Sequence, residues 1–392
     1  MKKAALVPIG WGVFGLGLGR LQATVAEHLV QRGWEVSVFA QRPLDLERIA
    51  QRFGVGLEGV GVRVHPAAGR RRGKLGRLAG DRIRRLAFTA RTRELDLLWM
   101  QSPYIPPISL ARRSILHTDF PFDARPRALF WRRRLRAYHR IVAISEFTRQ
   151  WIGRYWDVDA TVLYPPIHEF SPAEKKPWIL AVGRFCRGAR DKRQLELVRA
   201  FKAMCDEGLR DWVLHLAGIV EDRSYLAAVQ AAGAGYPVEY HLDADFAELA
   251  RLYAHSSIFW HAAGMGIDPE LEPHRLEHFG IVTAEAMTAA CVPVVIGLGG
   301  QPEIVTGEGD GFLWHSLDEL AGRTRTLIED PLLRQRCGRR AREGAIARFG
   351  RQAFVTRLEA VLAEVPATTS NTAPGTYKSP PATRGPGSYR GG

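Results

Sequence analysis

The most constraining feature of this sequence is a regular alternation of short apolar runs with longer amphipathic segments. In the second half, the apolar runs lie at 178–183, 212–217, 238–242, 258–261 and 292–296. The segments between them carry the apolar spacing of three to four residues that is typical of helices. Strands that alternate with helices form a parallel sheet, because each helix carries the chain back to the end of the sheet where the previous strand began. This half is therefore predicted to form a parallel α/β sheet.

The first half opens with the same order of elements. Residues 2–9 indicate a strand, 15–19 a glycine-rich turn, 20–31 a helix and 35–40 a second strand. This βαβ unit is the seed of a doubly wound sheet. No acidic residue closes the second strand, which argues against a nicotinamide dinucleotide. The predicted fold class is α/β, with two Rossmann-like doubly wound domains that face a central cleft.

The domain boundaries are predicted from length, prolines and composition. A chain of 392 residues suits two domains, each with its own core. Pro165 and Pro166 forbid a continuous helix or central strand and mark the linker. The predicted division is 1–165 for the first domain, 166–348 for the second, 349–365 for a C-terminal helix and 366–392 for a tail. The tail is rich in Pro, Gly, Ser and Thr, which predicts disorder.

The excess of positive over negative charge lies entirely in the first half of the sequence. Up to residue 170 there are 29 Lys and Arg against 14 Asp and Glu, an excess of +15, while the remainder has 26 against 27. This favours an acidic partner surface, such as an anionic membrane or a phosphate-bearing acceptor. Residues 70–93, where arginines alternate with apolar side chains, are either a membrane-facing segment or a solvated basic face. No recognition motif accompanies the charge, so nucleic acid is not expected as a partner.

Cysteine spacing and hydropathy bear on the compartment. Cys186, Cys205, Cys291 and Cys337 are far apart and form no metal-ligand pair, which fits a reducing environment. No apolar run reaches the length of a membrane span. We expect a cytoplasmic protein, with peripheral contact to an anionic membrane through the basic half as a further expectation.

One stretch, EHFGIVTAE at 277–285, combines two carboxylates with a helix start. Gly280 lets the backbone approach a ligand closely. The helix predicted from Ile281 would direct its first free N–H groups at a phosphate. Glu277 before the helix and Glu285 within it would lie at opposite ends of this anion pocket and accept hydrogen bonds from hydroxyls. A phosphate between two hydroxyl-bearing groups describes a nucleotide sugar.

This stretch resembles the E-x7-E motif of the family 4 glycosyltransferases, which are retaining enzymes with the GT-B fold. The longer string EHFGIVTAEAMTAACVPVVIGLGGQPEIV is similar to the core of one branch of that family. The resemblance is strong over the second domain and loose in the first half. It implies transfer of a sugar from a nucleoside-diphosphate sugar to a hydroxyl on a glycan, a natural product or a lipid-linked acceptor. The donor is a co-substrate, and no cofactor is implied.

The resemblance also implies roles for individual residues around the donor. Glu285 would bind the ribose and Glu277 the transferred sugar, while backbone N–H groups hold the β-phosphate. Arg184 and Lys192 match the family's GR…K pair, and a departing diphosphate needs such cations. The predicted donor-binding set is Gly17, Gly183, Arg184, Lys192, Gly218, Glu277, His278, Phe279, Gly280, Ile281 and Glu285.

The catalytic and acceptor-side residues follow from the same resemblance. The string HTDFP at 117–121 is similar to a family stretch beside the reacting sugar. His117 would orient the sugar, and the leaving phosphate would take the acceptor proton. Gly19 and Asp119 are placed on the acceptor side. The predicted catalytic set is His117, Arg184, Lys192 and Glu277, and no metal is expected because the two cations would neutralise the diphosphate.

Plainer interpretations of these residues and two other protein classes remain open at this stage. The two glutamates could be surface carboxylates, the two cations could be surface charges, and His117 could be structural. A nucleotide-sugar 2-epimerase shares the fold and the donor, but forms product without an acceptor. A non-catalytic basic membrane-binding protein would not need both ends of a donor pocket.

Overall fold

The computed structural model describes residues 1–8, 17–40, 42–64, 85–122, 129–307 and 309–363. The predicted glycine turn before Gly17, most of the arginine-rich segment at 70–93 and the predicted tail lie outside these ranges. Among the described residues, helix α1 already begins at Gly17. The glycine turn is therefore shorter than predicted, and Gly17 and Gly19 belong to the first turn of a helix.

The first domain is built on a parallel sheet with the strand order β3-β2-β1-β4-β5-β6-β7. Its strands are β1 (Lys3–Val7), β2 (Glu35–Ala40), β3 (Gly61–Val64), β4 (Leu97–Gln101), β5 (Arg113–Thr118), β6 (Arg140–Ala143) and β7 (Thr161–Val162). Its helices are α1 (Gly17–Gln31), α2 (Leu46–Phe53), α3 (85–92), α4 (Leu129–Arg136) and α5 (Glu146–Trp156). Apolar clusters fill both faces of this sheet, as a doubly wound fold requires.

The second domain repeats the plan with the strand order β10-β9-β8-β11-β12-β13, again all parallel. Its strands are β8 (Lys176–Val182), β9 (Val213–Gly218), β10 (Val238–Leu242), β11 (Ser256–His261), β12 (Val292–Ile296) and β13 (Phe312–Trp314). Its helices are α6 (Gln194–Asp206), α7 (Arg223–Gly233), α8 (Phe246–His255), α9 (Ile281–Thr288), α10 (Gln301–Ile304), α11 (Leu317–Glu329) and α12 (Pro331–Phe349). The prediction of two Rossmann-like domains is confirmed.

Local sequence explains where these elements begin and why the central strands are apolar. Strand β12 is buried along its whole length because helices cover both faces of a parallel sheet. Asp222, Asp245 and Ser316 each cap a helix, since the side-chain oxygen accepts a hydrogen bond from a backbone N–H of the first turn. Each such cap is worth about 1 kcal/mol.

The last described helix, α13 (Arg351–Ala363), returns to the first domain. Phe354, Leu358 and Val361 are buried in the same cluster as the apolar face of α1. Burial of three such side chains contributes about 6 kcal/mol at most. The Arg351 guanidinium also lies 2.5 Å from the Glu27 carboxylate on α1. Helix α13 is therefore a structural part of the first domain.

The chain crosses between the domains twice, and the two crossings lie side by side. Ile167 N–H points to the Phe349 carbonyl at 3.4 Å. The ring of Tyr164 lies 5.1 Å from Phe349 and 5.4 Å from Phe279, measured between ring centres. Residue 164 belongs to the outward crossing and residue 349 to the returning one. The first residues of the motif at 277–285 therefore touch the junction of the two domains.

Contacts at the carboxyl ends of the strands define the cleft between the domains. Phe120, after β5, stacks on His278 with ring centres 4.6 Å apart. Ser145, after β6, donates its hydroxyl to the His278 carbonyl at 2.5 Å. Both sheets thus turn their carboxyl edges toward each other, which is where ligands bind in such folds. None of the helices in the described ranges is both long and apolar enough to cross a bilayer.

Candidate active site

The start of helix α9 has free backbone donors. Gly280 adopts φ +114°, a conformation that favours glycine, and no side chain caps the helix. Within the described residues, the backbone N–H groups of Phe279, Gly280, Ile281 and Val282 donate to no protein acceptor. A Cβ atom at Gly280 would lie 2.7 Å from Gln301 Nε2, so the turn is tightly enclosed. Four free donors at a helix start form a ready site for an anion.

Glu277 lies beside this helix start and is paired with one cation and one imidazole. Its Oε2 atom is 2.5 Å from Lys192 Nζ and 3.3 Å from His261 Nε2. Burial by itself raises the pKa of Glu277, but Lys192 and His261 outweigh burial and hold the pKa well below its usual range. Gln301 Nε2, 3.2 Å from His261 Nδ1, fixes the orientation of the imidazole. The carboxylate is therefore ionised and firmly placed.

The loop after β8 positions Lys192 through a close approach to Gly183. A Cβ at Gly183 would lie 2.7 Å from Lys192 Cγ, so only glycine leaves room for the lysine stem. Gln194 donates its side-chain amide to the carbonyls of Gly183 and Arg184 at 3.0 Å each. Gly218, at the end of β9, lies against the Gly183 carbonyl. The two predicted glycines thus support the lysine at the cleft edge.

Arg184 does not accompany Lys192 in its pairing. Its guanidinium lies 3.1 Å from the Glu221 carboxylate, which Arg190 also contacts at 3.1 Å. The arginine side chain is about a quarter exposed. The structure therefore brings Lys192 to Glu277 and holds Arg184 at a different carboxylate, Glu221.

Glu285 is held from the opposite domain. Its Oε1 atom is 3.2 Å from the Arg20 guanidinium of α1 and accepts a hydrogen bond from the His168 N–H at 3.1 Å. Burial raises the pKa of Glu285, and these two donors only partly oppose it. The Arg20–Glu285 pair joins the second domain to the first helix of the chain.

His117 is completely buried at the end of β5. Gln22 Nε2 lies 3.3 Å from its Nδ1 atom, so Nδ1 accepts and the ring proton resides on Nε2. Burial lowers the pKa of His117 to about 3, so the ring is neutral. The Nε2 atom has no hydrogen-bond partner within the described residues. A buried N–H without an acceptor is costly, and a ligand hydroxyl would relieve that cost.

Asp119 and His278 meet at the same edge. Burial raises the pKa of Asp119 and His278 opposes the rise, while burial lowers the pKa of His278. Phe147 adds a second ring 6.3 Å from His278. His278 thus belongs to an aromatic contact with the first domain, rather than to the helix start alone.

Glu303 joins the two domains beside this contact. Its two carboxylate oxygens accept the backbone N–H groups of Glu146 and Phe147, at 2.7 Å each. These N–H groups open helix α5, so the carboxylate lies at a helix N-terminus, where negative charge is favoured. Burial raises the pKa of Glu303, against the effect of these two hydrogen bonds.

One predicted position and one sequence pattern have structural roles outside the site. Gly19 is buried, and a Cβ there would lie 2.8 Å from Phe53 of α2, which gives it a packing reason. The sequence also contains two Asp-x-Asp triplets, the pattern by which metal-dependent transferases hold a metal, at 157–159 and 243–245. Asp157 and Asp159 each pair with an arginine, and Asp245 caps α8. In these triplets the carboxylates therefore already have protein partners.

The sequence analysis did not identify several residues that the structure places at the site. Arg20, Gln22 and His261 each contact a predicted site residue, and Gln301 contacts His261. His261 carries a usable signal, since it ends a buried strand at the carboxyl edge. The two α1 residues carry none, because their partners are remote in sequence.

Comparison with known families agrees with this architecture. The model for group 1 glycosyl transferases matches residues 166–344, and the model for glycosyltransferase family 4 matches residues 16–169. Together the two models span most of the chain, one for each domain. A comparison with curated protein sequences finds no significant match.

Solved structures with the same fold cover the whole of the two-domain unit. A glycosyltransferase from Rickettsia africae has a TM-score of 0.71 at 14% identity, covering 93% of this chain and 98% of that one. Anabaena HepE in complex with UDP and glucose has a TM-score of 0.66 at 15% identity, covering 93% and 100%. Sucrose-phosphate synthase from Thermosynechococcus elongatus has a TM-score of 0.65 at 17% identity, covering 93% and 99%.

Two facing parallel sheets, with an uncapped helix start in the cleft, define a protein of the GT-B class. With the two family models, this shows that the chain belongs to the family 4 glycosyltransferases.

Proposed function

We propose that the chain is a retaining glycosyltransferase that moves a sugar from a nucleoside-diphosphate sugar to an acceptor hydroxyl. The observation that carries the proposal is the uncapped start of α9, with the Lys192–Glu277 pair on one side and Glu285 within the helix. This arrangement places the free N–H groups at the start of α9, which can bind an anion, between two carboxylates. A diphosphate flanked by a sugar and a ribose has the complementary chemistry.

In this proposal, the second domain stabilises the departing diphosphate. The N–H groups of Phe279, Gly280 and Ile281 hold the β-phosphate, and Lys192 neutralises it. Arg184 exchanges Glu221 for the phosphate. Because negative charge on the phosphate grows as the bond to the sugar breaks, these contacts strengthen in the transition state and lower the barrier. Glu277, already fixed by His261, accepts hydroxyls of the sugar.

Glu285 is proposed to bind the ribose hydroxyls, with Arg20 partly opposing the rise in its pKa that burial causes. The HepE structures are described as complexes with UDP and with UDP-glucose. UDP is therefore the first nucleotide to test. The base and the sugar are left to the experiment.

The proposed reaction proceeds on one face of the sugar. The bond from the anomeric carbon to the phosphate oxygen breaks, and a bond to the acceptor oxygen forms on the same face. The acceptor proton passes to the leaving phosphate. His117 is neutral, so it donates its Nε2–H to a sugar hydroxyl and orients the sugar instead of acting as a base.

The transfer step is proposed to need no metal, because Lys192 and Arg184 supply the positive charge. The test is transfer with EDTA present and then with Mg²⁺ or Mn²⁺ restored. Unchanged turnover with EDTA supports the proposal. Loss of turnover that only Mg²⁺ or Mn²⁺ restores contradicts it.

The primary experiment is a thermal-shift titration with UDP, GDP, ADP and TDP. A ligand that binds only the folded state raises the melting temperature. One nucleotide is expected to do so, and the shift should vanish in Glu285→Ala and Lys192→Ala. Arg199→Ala, on the exposed face of α6, is the matched control and should retain it. No shift with any nucleotide at millimolar concentration would sink the proposal.

Product analysis then separates the transferase from the epimerase. A retaining transferase releases nucleotide only slowly without acceptor. NMR of its product should show that the transferred sugar keeps the anomeric configuration of the donor. Conversion of the donor sugar to its 2-epimer with no acceptor present would identify the epimerase instead.

We also propose a cytoplasmic enzyme whose basic first domain contacts an anionic membrane and takes a lipid-linked acceptor. Arg132, Arg133 and Arg136 are exposed on α4, and Leu110 and Phe122 are exposed on the same domain. Basic and apolar side chains together suit a membrane surface. Co-sedimentation with vesicles of anionic lipid, but not with neutral vesicles, is expected. Equal behaviour with both would leave a soluble acceptor.

A further inference from the structure

Three potential metal ligands converge at the outer edge of the second sheet. His215 is on β9, and Glu239 and His241 are on the edge strand β10. The parallel register sets Glu239 opposite His215. His241 follows two residues later, on the same face of the sheet. These positions lie outside the set assigned to the donor.

The ligand atoms form a triangle of the size that a metal ion requires. His215 Nδ1 is 3.0 Å from His241 Nε2 and 3.3 Å from Glu239 Oε2, and the remaining side of the triangle is 3.8 Å. A tetrahedral zinc ion with ligands at about 2.0–2.1 Å holds any two ligand atoms about 3.3 Å apart. The three atoms therefore need to move by only a few tenths of an ångström.

A fourth residue orients the cluster as an outer partner would. Glu248 of α8 lies 2.7 Å from His241 Nδ1, through Oε1. A carboxylate on one ring nitrogen places the proton there and directs the lone pair of the other nitrogen toward the metal. Here that other nitrogen is Nε2, the atom that faces His215 and Glu239.

The state of His215 also suits a ligand. Its side chain is 1% exposed, and Trp178 covers it with ring centres 4.3 Å apart. Lys176 and Arg251 lie over the outer part of this cover, 4.7 and 5.7 Å from the centre of the Trp178 ring. The acidic groups Glu239 and Glu248 offset the two nearby cations.

A hydrogen bond from His215 Nδ1 to His241 Nε2 is the metal-free alternative. It accounts for the 3.0 Å contact between the two nitrogens, but it gives no reason for the approach of Glu239 Oε2 to both of them. The open side, where the Glu239 side chain is 59% exposed, leaves space for water as a fourth ligand.

We propose that His215, Glu239 and His241 bind one divalent transition-metal ion of the zinc type. Two imidazoles and one carboxylate favour Zn²⁺ and Co²⁺ over Mg²⁺ and Ca²⁺. The ion fastens the edge strand β10 to β9 and, through Glu248, to α8. Its role is structural, since the proposed transfer reaction uses none of these residues.

The test uses full-length protein without a polyhistidine tag, treated with EDTA and desalted. Co²⁺ is titrated while its visible d–d absorption is followed, and Zn²⁺ is then added as competitor. One equivalent of Co²⁺ should give the intense spectrum of a tetrahedral site, which Zn²⁺ abolishes and Mg²⁺ leaves unchanged. Zn²⁺ should also raise the melting temperature.

Three variants give the proposal its sharpest test. Glu239→Gln, on the exposed strand edge, retains the fold and should weaken Co²⁺ binding at least tenfold, as should His241→Ala. Glu248→Gln should weaken it by about 10–100-fold, as for other outer partners. His255→Ala, at the end of α8, is the matched control and should bind as the wild type does.

Stoichiometric binding that disappears in Glu239→Gln and persists in His255→Ala would establish the site. Absence of a one-to-one cobalt complex in the wild type, or equal binding by wild type and Glu239→Gln, would overturn it. Neither outcome bears on nucleotide binding, which is measured separately.

Discussion

The second-domain wall of the cleft holds its own pair of charges, whereas the first-domain wall presents a neutral imidazole, aromatic rings and one cation, Arg20, that pairs across the cleft with Glu285. Glu277 and Lys192 form one pair on the second wall. His117 and Phe120 represent the first wall, and both are buried. In the proposed reaction, charge develops on the diphosphate and much less on the acceptor. The wall with the charges is therefore the one that faces the leaving group.

The two glutamates of the motif show how local partners decide protonation. Both are shielded from solvent, yet the pKa of Glu277 is lowered and that of Glu285 is raised. Glu277 has Lys192 and His261 against one oxygen, while Glu285 has Arg20 and one backbone N–H. Lys192 and the Nε2–H of His261 outweigh burial at Glu277, whereas Arg20 and one backbone N–H do not outweigh it at Glu285. Two glutamates of the same motif thus have pKa values that are shifted in opposite directions.

The largest effect is expected on the charged wall. Lys192→Ala removes the cation from the diphosphate and leaves Glu277 buried without its partner. Turnover should fall by about 10²–10³-fold, as for loss of one group that stabilises developing charge. Steady-state kinetics at saturating donor measures it, with Arg199→Ala as the control. Near-normal turnover in Lys192→Ala would contradict the assignment of charge to this wall.

The next effect concerns the backbone donors of the same wall. Gly280→Ala adds a Cβ to a residue at φ +114° and pushes it against Gln301. We expect a loss of about 1–3 kcal/mol in the free energy of unfolding from the strain alone. Turnover should fall about 100-fold because the N–H groups move.

Gly322→Ala is the matched control for this variant. It lies within α11 and has no atom within 4 Å of an added Cβ. Its stability should rise slightly, since alanine favours a helix. Equal behaviour of the two variants would show that the α9 turn does not depend on its backbone conformation.

On the first-domain wall, His117 is expected to make the free energy of unfolding depend on pH. Its pKa is lowered from 6.5 to about 3, so between these values the unfolded chain binds a proton that the folded chain refuses. The free energy of unfolding therefore falls as the pH falls, by about 1.4 kcal/mol per pH unit at most. His117→Gln removes this contribution and should lose about 2 kcal/mol less than the wild type between pH 6.5 and 4.5.

Denaturant titrations at several pH values measure that difference. His315→Gln, on the exposed surface, serves as the control. Parallel pH profiles of wild type and His117→Gln would mean that burial does not lower the pKa of His117. The contrast between the two walls would then be lost.

The smallest effect is expected for the aromatic contact. Phe120→Leu keeps an apolar side chain but loses the stacking on His278, which is worth about 1 kcal/mol. Turnover should stay within about tenfold of the wild type, which corresponds to about 1.4 kcal/mol. A loss as large as that of Lys192→Ala would assign the first wall a direct part in the chemistry.

The second domain was the more predictable from sequence, for physical reasons. Its strands are continuous apolar runs, and β10 and β12 have the bounds that were predicted. The short strands β3 and β13 were missed, because a strand of three or four residues has too few positions to show a period. Helix α13 was predicted from its periodicity, but an amphipathic face does not reveal which domain it will cover.

The site was predictable where a motif carries its own geometry. The helix start after Gly280 follows from local sequence, and so does the placement of Glu277 before it. The contacts Arg20–Glu285 and Gln22–His117 join residues 265 and 95 positions apart. Such pairs depend on how the elements are placed in space, which no local pattern contains. The Asp-x-Asp triplets show that a short pattern alone does not indicate a metal site, because these carboxylates are held in ion pairs and a helix cap.

The two crossings of the chain define the axis about which the two domains would rotate against each other. Two rigid bodies joined at adjacent points can turn only about an axis through that place, and displacement in a rotation grows with distance from the axis. Phe279 contacts Tyr164 close to this axis. The free N–H groups at the start of α9 would therefore move little as the cleft opens, while residues at the rim of the cleft, far from the axis, would move most. A bound phosphate would keep its place as the entrance for the acceptor widens and narrows.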